Sequence, residues 1–264
     1  MGEQIIEIEH RGPAAWVWLN RPALHNALNE ELVRGLTEVF RSLGQNSAVR
    51  VIVLSGRGKS FCAGADIESM RRQGAATATL NRDNARELAD LFHAIASSPK
   101  PTMARVNGAA IGGGLGLVSA CDIAIATTEA KFAASEVRLG LIPATIAPYV
   151  VRAIGTRWAR RLFQSAERIS AMQAERIGLV HETVQPDQLD ARVDSITDDL
   201  LAGAPLAQKA AKDLIDTIAN RAITAELIEY TAEQIATIRT HDEAREGLTA
   251  FLEKRKASWV PRQS

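Results

Sequence analysis

Two glycine-bearing turns, FCAGADI at Phe61 to Ile67 and NGAAIGGGLG at Asn107 to Gly116, each follow an apolar run rich in β-branched residues. The first run is RVIVLSG at Arg50 to Gly56, and the second is the Pro101 to Val106 stretch that ends in an Asn-Gly turn. Each unit reads as a strand, then a turn, then the start of a helix, where backbone N–H groups lack intrahelical partners and can point at an anion. Two such donors converging on one carbonyl oxygen would stabilise an enolate or a tetrahedral oxyanion, and losing one typically costs about 3 to 4 kcal/mol of barrier.

Alternating strand-like and helix-like segments position these turns. Ile5 to Glu9 and Ala14 to Leu19 read as a hairpin across Gly12-Pro13. Asn29 is placed to cap a helix that runs to about Leu43, with Leu32, Leu36, Val39 and Phe40 on one face. A strand at Arg50 to Ser55, an amphipathic helix at Asn81 to Ala96, a strand at Thr102 to Val106 and a buried helix at Ile111 to Ala120 follow. Repeated strand-strand-helix units predict a curved, stacked-sheet α/β architecture. After Pro143 the strand signal fades, and Leu206 to Glu253 reads as two or three helices with a break at Ile218 to Thr224.

With 264 residues the chain can bury a large core, and its 31 basic and 31 acidic residues leave a formal charge of zero. That balance supplies no global field for nucleic acid or an anionic membrane, so an anionic ligand has to be met by local cations. Cys62 and Cys121 show no CxxC spacing and read as small core residues. His10, His93, His181 and His241 have no metal-ligand spacing, so no metal is expected. The N-terminus lacks the basic and apolar regions of a secretory signal, and a cytoplasmic location is expected. The apolar stretch Ala109 to Ala126 contains Gly112, Gly113, Gly114, Gly116 and Asp122, which favours a buried helix and strand over a membrane span.

At these turns the chain resembles the crotonase family, the enoyl-CoA hydratases and isomerases. The resemblance covers nearly the whole chain: LNRPALHNALN at Leu19 to Asn29, SFCAGADIESM at Ser60 to Met70, the glycine triplet, CDIAIA at Cys121 to Ala126, KFAASEVRLGLIP at Lys131 to Pro143, and FLEKRKASW near the C-terminus. It implies a crotonase-like ββα superhelix over residues 1–200 and a helical C-terminal region over 201–264 that covers the active site and packs against neighbouring subunits. The implied partner is an acyl-CoA substrate, bound by a homotrimer or a hexamer built as a dimer of trimers. No cofactor is implied beyond the CoA thioester itself.

Carried onto this sequence, the family motifs make the backbone N–H groups of Ala65 and Gly113 the oxyanion donors and Glu136 the group that exchanges a proton at the substrate α-carbon. Ala23, His25, Ala27, Ala63, Asp66 and Ile67 match the segments that line the CoA-binding side. Phe251 and Lys254 match residues that close over the adenine or its phosphate. Asp66 is expected to brace the helix after it, and His25 is not expected to act as an acid or base.

The departures carry information. Ordinary enoyl-CoA hydratases place a second glutamate two residues after the glycine triplet, where this chain has Gly116. After the proline, where common hydratases read GAGGTQRL, this chain reads ATIAPYVV at Ala144 to Val151. A single glutamate also suits a Δ3,Δ2-enoyl-CoA isomerase. The longer match, GGxLGLV with SEVRLGLIPA and PYVV, is to hydratases of 3-methylglutaconyl-CoA or longer carboxygeranoyl-type thioesters, so a hydratase is expected, with a branched acidic acyl group as the finer expectation. Such a group would need a cation in the acyl pocket, and Arg71, Arg72, Arg82, Arg86 and Arg138 are the candidates. A glutamate introduced at Gly116 is expected to lie near Glu136 and raise its pKa. A third reading, a non-catalytic CoA- or RNA-binding relative, is weighed against by the neutral charge and by Glu136.

Overall fold

The computed structural model describes residues 4–261. Ten strands form two sheets. The larger sheet contains β1 (Ile6–Arg11), β2 (Ala14–Leu19), β3 (Val51–Gly56), β5 (Thr102–Val106), β7 (Ile123–Thr127) and β10 (Glu182–Val184), neighbouring one another in that order. The smaller contains β4 (Ser60–Cys62), β6 (Ala109–Ile111), β8 (Lys131–Ala133) and β9 (Ile169–Ser170), again in order. Only the β1–β2 and β8–β9 pairs are antiparallel.

Consecutive strands alternate between the sheets. β3, β5 and β7 lie side by side in the large sheet, and their successors β4, β6 and β8 lie side by side in the small one. Each strand pair is followed by a helical segment: α2 (Ile67–Gly74) and α3 (Ala78–Ala96) after the first, α4 (Gly113–Ala120) after the second, and a short 3-10 turn (Glu136–Leu139) and α5 (Ala147–Ser165) after the third. This is the ββα superhelix that the family resemblance implies.

The large sheet is apolar on both faces, as expected of a covered parallel sheet. Every residue of β2 and β3 is buried. One face packs Val17, Leu19, Ile52, Leu54 and Val106 against α1 (Glu30–Gln45), α3 and α4. The other packs Trp16, Trp18, Val51, Val53 and Met103 against Leu189, Val193 and Leu201 of α7 (Leu189–Ala202). Asn29 caps α1 as expected, its side chain accepting from the Leu32 N–H at 2.9 Å. Cys62 and Cys121 are free, and burial raises both thiol pKa values, that of Cys62 to about 12.

Two expectations need adjusting. The helix expected at 111–120 begins at Gly113, because Ala109–Ile111 is the strand β6. The helix expected from Asn81 begins at Ala78, capped by Thr77, whose hydroxyl accepts from the Leu80 N–H at 3.3 Å. β4, β6, β8 and β9 are two- or three-residue strands, too short to show a period-two pattern. After α6 (Ala171–Arg176) and α7, the C-terminal region holds α8 (Pro205–Ile218), α9 (Ala225–Arg239) and α10 (Asp242–Leu252), with the expected break between α8 and α9. No helix among the described residues is long and apolar enough to cross a membrane.

Asn26 fixes the loop between β2 and α1 against the first ββ turn. It is fully buried at φ 57°, a left-handed conformation that Asn tolerates better than most residues. Its amide nitrogen donates to the carbonyls of Arg57, Ser60 and Phe61, and its oxygen accepts from the Arg21 N–H. Asn26→Ala therefore strands several buried polar groups, and a loss of about 2 to 4 kcal/mol is expected in urea denaturation. A loss below 0.5 kcal/mol, within the range of about ±0.5 kcal/mol for ordinary surface substitutions, would contradict this role.

Candidate active site

The site is assembled where the three parallel strands of the small sheet end. β4 runs into Ala63-Gly64-Ala65, β6 into Gly112-Gly113, and β8 into Ala134-Ser135-Glu136. Because the strands are adjacent and parallel, their outgoing turns meet at one edge. Ala63, Gly64, Ala65, Gly112, Gly113, Ser135 and Glu136 line a single cavity of about 400 Å³.

The two N–H groups are available for geometric reasons. Leu28 bridges Ala65 in parallel fashion, its N–H donating to the Gly64 carbonyl at 2.7 Å and its carbonyl accepting from the Asp66 N–H at 2.9 Å. Alternation along an extended segment then turns the Ala65 N–H away from Leu28. Gly113 opens α4, so its N–H has no carbonyl to meet within its own helix. Gly112, at φ 51°, makes the sharp entry into that helix while its own N–H donates to the Ala133 carbonyl at 2.8 Å.

Glu136 stands over this edge. A Cβ on Gly112 would lie 3.2 Å from Glu136 Oε1, so the turn lacks a side chain where the carboxylate approaches. Glu136 Oε2 is buried without a hydrogen-bond partner among the described residues. Desolvation raises the Glu136 pKa, partly offset by its own backbone N–H. A half-buried carboxylate with an under-bonded oxygen and a raised pKa holds a proton more readily than a solvated one, as a group that takes up and returns a proton must.

The enoyl-CoA hydratase/isomerase family model matches residues 10–262. The chain belongs to this family. It is 35% identical to the crotonyl-CoA hydratase of Syntrophomonas wolfei, covering 98% of this chain and 99% of that protein. A crystal structure of a crotonase-type protein from Legionella pneumophila superposes with a TM-score of 0.93 at 43% identity, covering 98% of this chain and all of that one. That of an enoyl-CoA hydratase from Shewanella pealeana superposes with a TM-score of 0.94 at 39% identity, covering 97% and 96% of the two chains.

The remaining expected residues of this family member fall into two groups. Ala23, His25 and Ala27 run beside the first turn, and the Ala63 N–H donates to the His25 carbonyl at 2.9 Å. His25 itself has φ 51°, and its Nδ1 lies 3.1 Å from Ser60 Oγ, outside the cavity. Ile67 is exposed beside them. Asp66 does not present its carboxylate to the cavity. It caps α2 by accepting from the Glu68 and Ser69 N–H groups and pairs with Arg21 at 2.9 Å, contacts that together outweigh desolvation and lower its pKa. These contacts give Asp66 the bracing position expected of it, at the start of α2.

Phe251 and Lys254, at the end of α10, do not line the cavity. The segment after them is tied to the N-terminal edge of β3, where the Arg50 guanidinium donates to the carbonyls of Trp259 and Gly203.

Gly116 needs a further correction. A Cβ there would lie 2.3 Å from Ile146 Cγ2 and 2.8 Å from the Phe92 ring, so the position is packed shut. A glutamate at 116 would collide with these side chains and could not simply extend towards Glu136. Ile146, from the ATIAPYVV segment, occupies the space and lines the cavity. Sequence reading missed this pairing because Gly116, Phe92 and Ile146 come from three separate segments.

The buried carboxylate has a cost with a definite sign. Its folded-state pKa is raised, so the native state binds the proton more tightly than the unfolded chain does. The ionised group thus destabilises the fold above that raised pKa, and the penalty fades as pH falls through it towards the ordinary carboxylate range. Glu136→Gln should therefore raise Tm relative to wild type at neutral pH, with the difference shrinking on acidification, while turnover is abolished and thioester affinity is kept. A variant that is destabilised at neutral pH and still turns over at more than about a tenth of the wild-type rate would contradict the proposed role.

Proposed function

We propose that the chain hydrates 2-enoyl-CoA thioesters. The observation that carries this reading is the shared cavity that holds the Glu136 carboxylate, whose Oε2 has no hydrogen-bond partner among the described residues, together with the N–H groups of Ala65 and Gly113. The thioester oxygen lies between the two N–H donors, which polarises the conjugated double bond. Water held by Glu136 attacks C3, and its proton passes to the carboxylate. The C2=C3 π electrons move onto the thioester oxygen as an enolate, and Glu136 returns the proton to C2. The oxyanion donors supply the electrostatic stabilisation, and the raised pKa of Glu136 suits both halves of the proton transfer.

The acyl wall supports a neutral chain. Leu28, Val33, Met70 and Leu88 give an apolar lining between α1, α2 and α3, with Asn84 and Gln73 beside them. The charged residues lining the cavity are Glu30, Glu87 and Glu136, and none is Lys or Arg. Of the expected cations, Arg72 is committed to Glu30 at 2.7 Å and Arg71 to Glu68 at 2.9 Å. Arg82, Arg86 and Arg138 do not line the cavity either, so a branched acyl group carrying its own carboxylate, such as 3-methylglutaconyl, would meet acidic groups in the lining and no cation, and crotonyl-like chains fit better.

Exposed Leu24 and Ile67 flank the segments assigned to CoA, and Leu139, Leu141 and Ile142 form an apolar lip at the cavity. Ile215, Ile228, Ile235, Leu248, Phe251 and Leu252 leave α8 to α10 with exposed apolar side chains, which supports assembly with further copies as a trimer or hexamer.

The single carboxylate also favours a second reading, isomerisation of 3-enoyl to 2-enoyl thioesters by the same proton carrier. Purified protein supplied with crotonyl-CoA, 3-methylglutaconyl-CoA and 3-hexenoyl-CoA, with products resolved by mass, separates the readings. The expected outcome is water addition to crotonyl-CoA with higher kcat/KM than to 3-methylglutaconyl-CoA. Migration of the double bond in 3-hexenoyl-CoA with no water added to either 2-enoyl substrate would establish the isomerase instead.

A further inference from the structure

With Gly116 in place of a second carboxylate, and Ile146 and Phe92 packed against it, the wall that would otherwise grip the attacking water is apolar. A water aligned for attack needs more than one hydrogen-bond partner, because a single acceptor leaves it free to swing about that bond. Ser135 is placed to be the second. It precedes Glu136 at the N-terminus of the 3-10 turn and makes no capping hydrogen bond there, which leaves its hydroxyl uncommitted to the backbone. It lines the same cavity as Glu136. Its Oγ and Glu136 Oε1 both approach the same point above Gly112, lying 3.8 Å and 3.2 Å from where a Cβ would be. Gly112 immediately precedes the Gly113 donor, so both oxygens face the place where the activated double bond would sit.

We propose that the Ser135 hydroxyl is the second anchor of the attacking water, taking the part of the carboxylate that Gly116 lacks; this rests on the hydratase reading. One water O–H bonds to the Glu136 carboxylate and the other to Ser135 Oγ. As the water oxygen forms its bond to C3, the proton facing Glu136 transfers to the carboxylate and thence to C2. The proton facing Ser135 stays on oxygen and becomes that of the product hydroxyl. Ser135 exchanges no proton with the substrate, and its part is to hold the oxygen lone pair towards C3. Thr145, the other hydroxyl in this part of the wall, adjoins Ile146 and is the competing candidate.

The test compares two reactions on one set of variants: hydration of crotonyl-CoA, and exchange of the α-protons of butyryl-CoA with D2O, which needs Glu136 and the oxyanion donors but no attacking water. Ser135→Ala is expected to lower kcat for hydration by about tenfold or more while KM and the exchange rate stay within about twofold. Ser135→Thr, which keeps the hydroxyl, is expected to restore most of the hydration rate. Equal loss of both reactions in Ser135→Ala would show that the residue merely shapes Glu136 and would overturn the proposal, as would undiminished hydration. Selective loss of hydration in Thr145→Val but not in Ser135→Ala would assign the anchor to Thr145. A wild-type protein that exchanges α-protons but adds no water would instead overturn the hydratase reading itself.

Discussion

The site depends on one close approach of backbone to backbone, where the ends of β4 and β6 press together. A Cβ on Gly114 would lie 2.2 Å from the Cys62 carbonyl oxygen, and one on Gly64 would lie 2.9 Å from that of Ile111. No larger residue fits at either place without moving the main chain. The approach brings the turn carrying Ala65 beside the helix start carrying Gly113, so two N–H groups from different segments border one cavity. The parallel pairing of β6 with β8 then brings Glu136 to the same edge. The large sheet, buried on both faces, serves as the rigid base from which these short strands emerge, and Asn26 ties the preceding loop to them.

Rigidity and chemistry then pull in opposite directions at Glu136. A fully hydrogen-bonded carboxylate would favour the fold and hold its proton too weakly for use near neutral pH. Leaving Oε2 without a partner in a desolvated wall raises the proton affinity at the expense of stability. The contact of Ile146 and Phe92 with Gly116 puts hydrocarbon where a second charge would have stood. A like charge there would also raise the Glu136 pKa, but it would bring its own desolvation cost and a second proton-transfer route. The chain therefore relies on burial rather than repulsion to tune its one carboxylate.

Much of this arrangement is legible in the residues themselves. The two glycine turns, the Asn29 cap, the β1–β2 hairpin and the buried runs of β3 and β5 follow from local chemistry, and Glu136 follows from the family motif around it. The short strands of the second sheet do not, because three residues carry no periodicity and their pairing partners lie far along the chain. The surroundings of Gly116 are hidden for the same reason. Asp66 could be read as a cap from its place before a helix, but its Arg21 partner lies 45 positions away and is visible only once folded. Phe251 and Lys254 match a motif whose meaning depends on where the C-terminal helices pack, which their own sequence does not specify.

A single carboxylate that both holds the water and returns the proton must act from one side of the substrate plane. Hydration of crotonyl-CoA in D2O, followed by NMR assignment of the deuterium at C2 relative to the hydroxyl at C3, tests this directly. Addition of both to the same face is the result the account predicts. Addition to opposite faces would require a proton donor on the far wall and would contradict the central claim that Glu136 alone carries the proton.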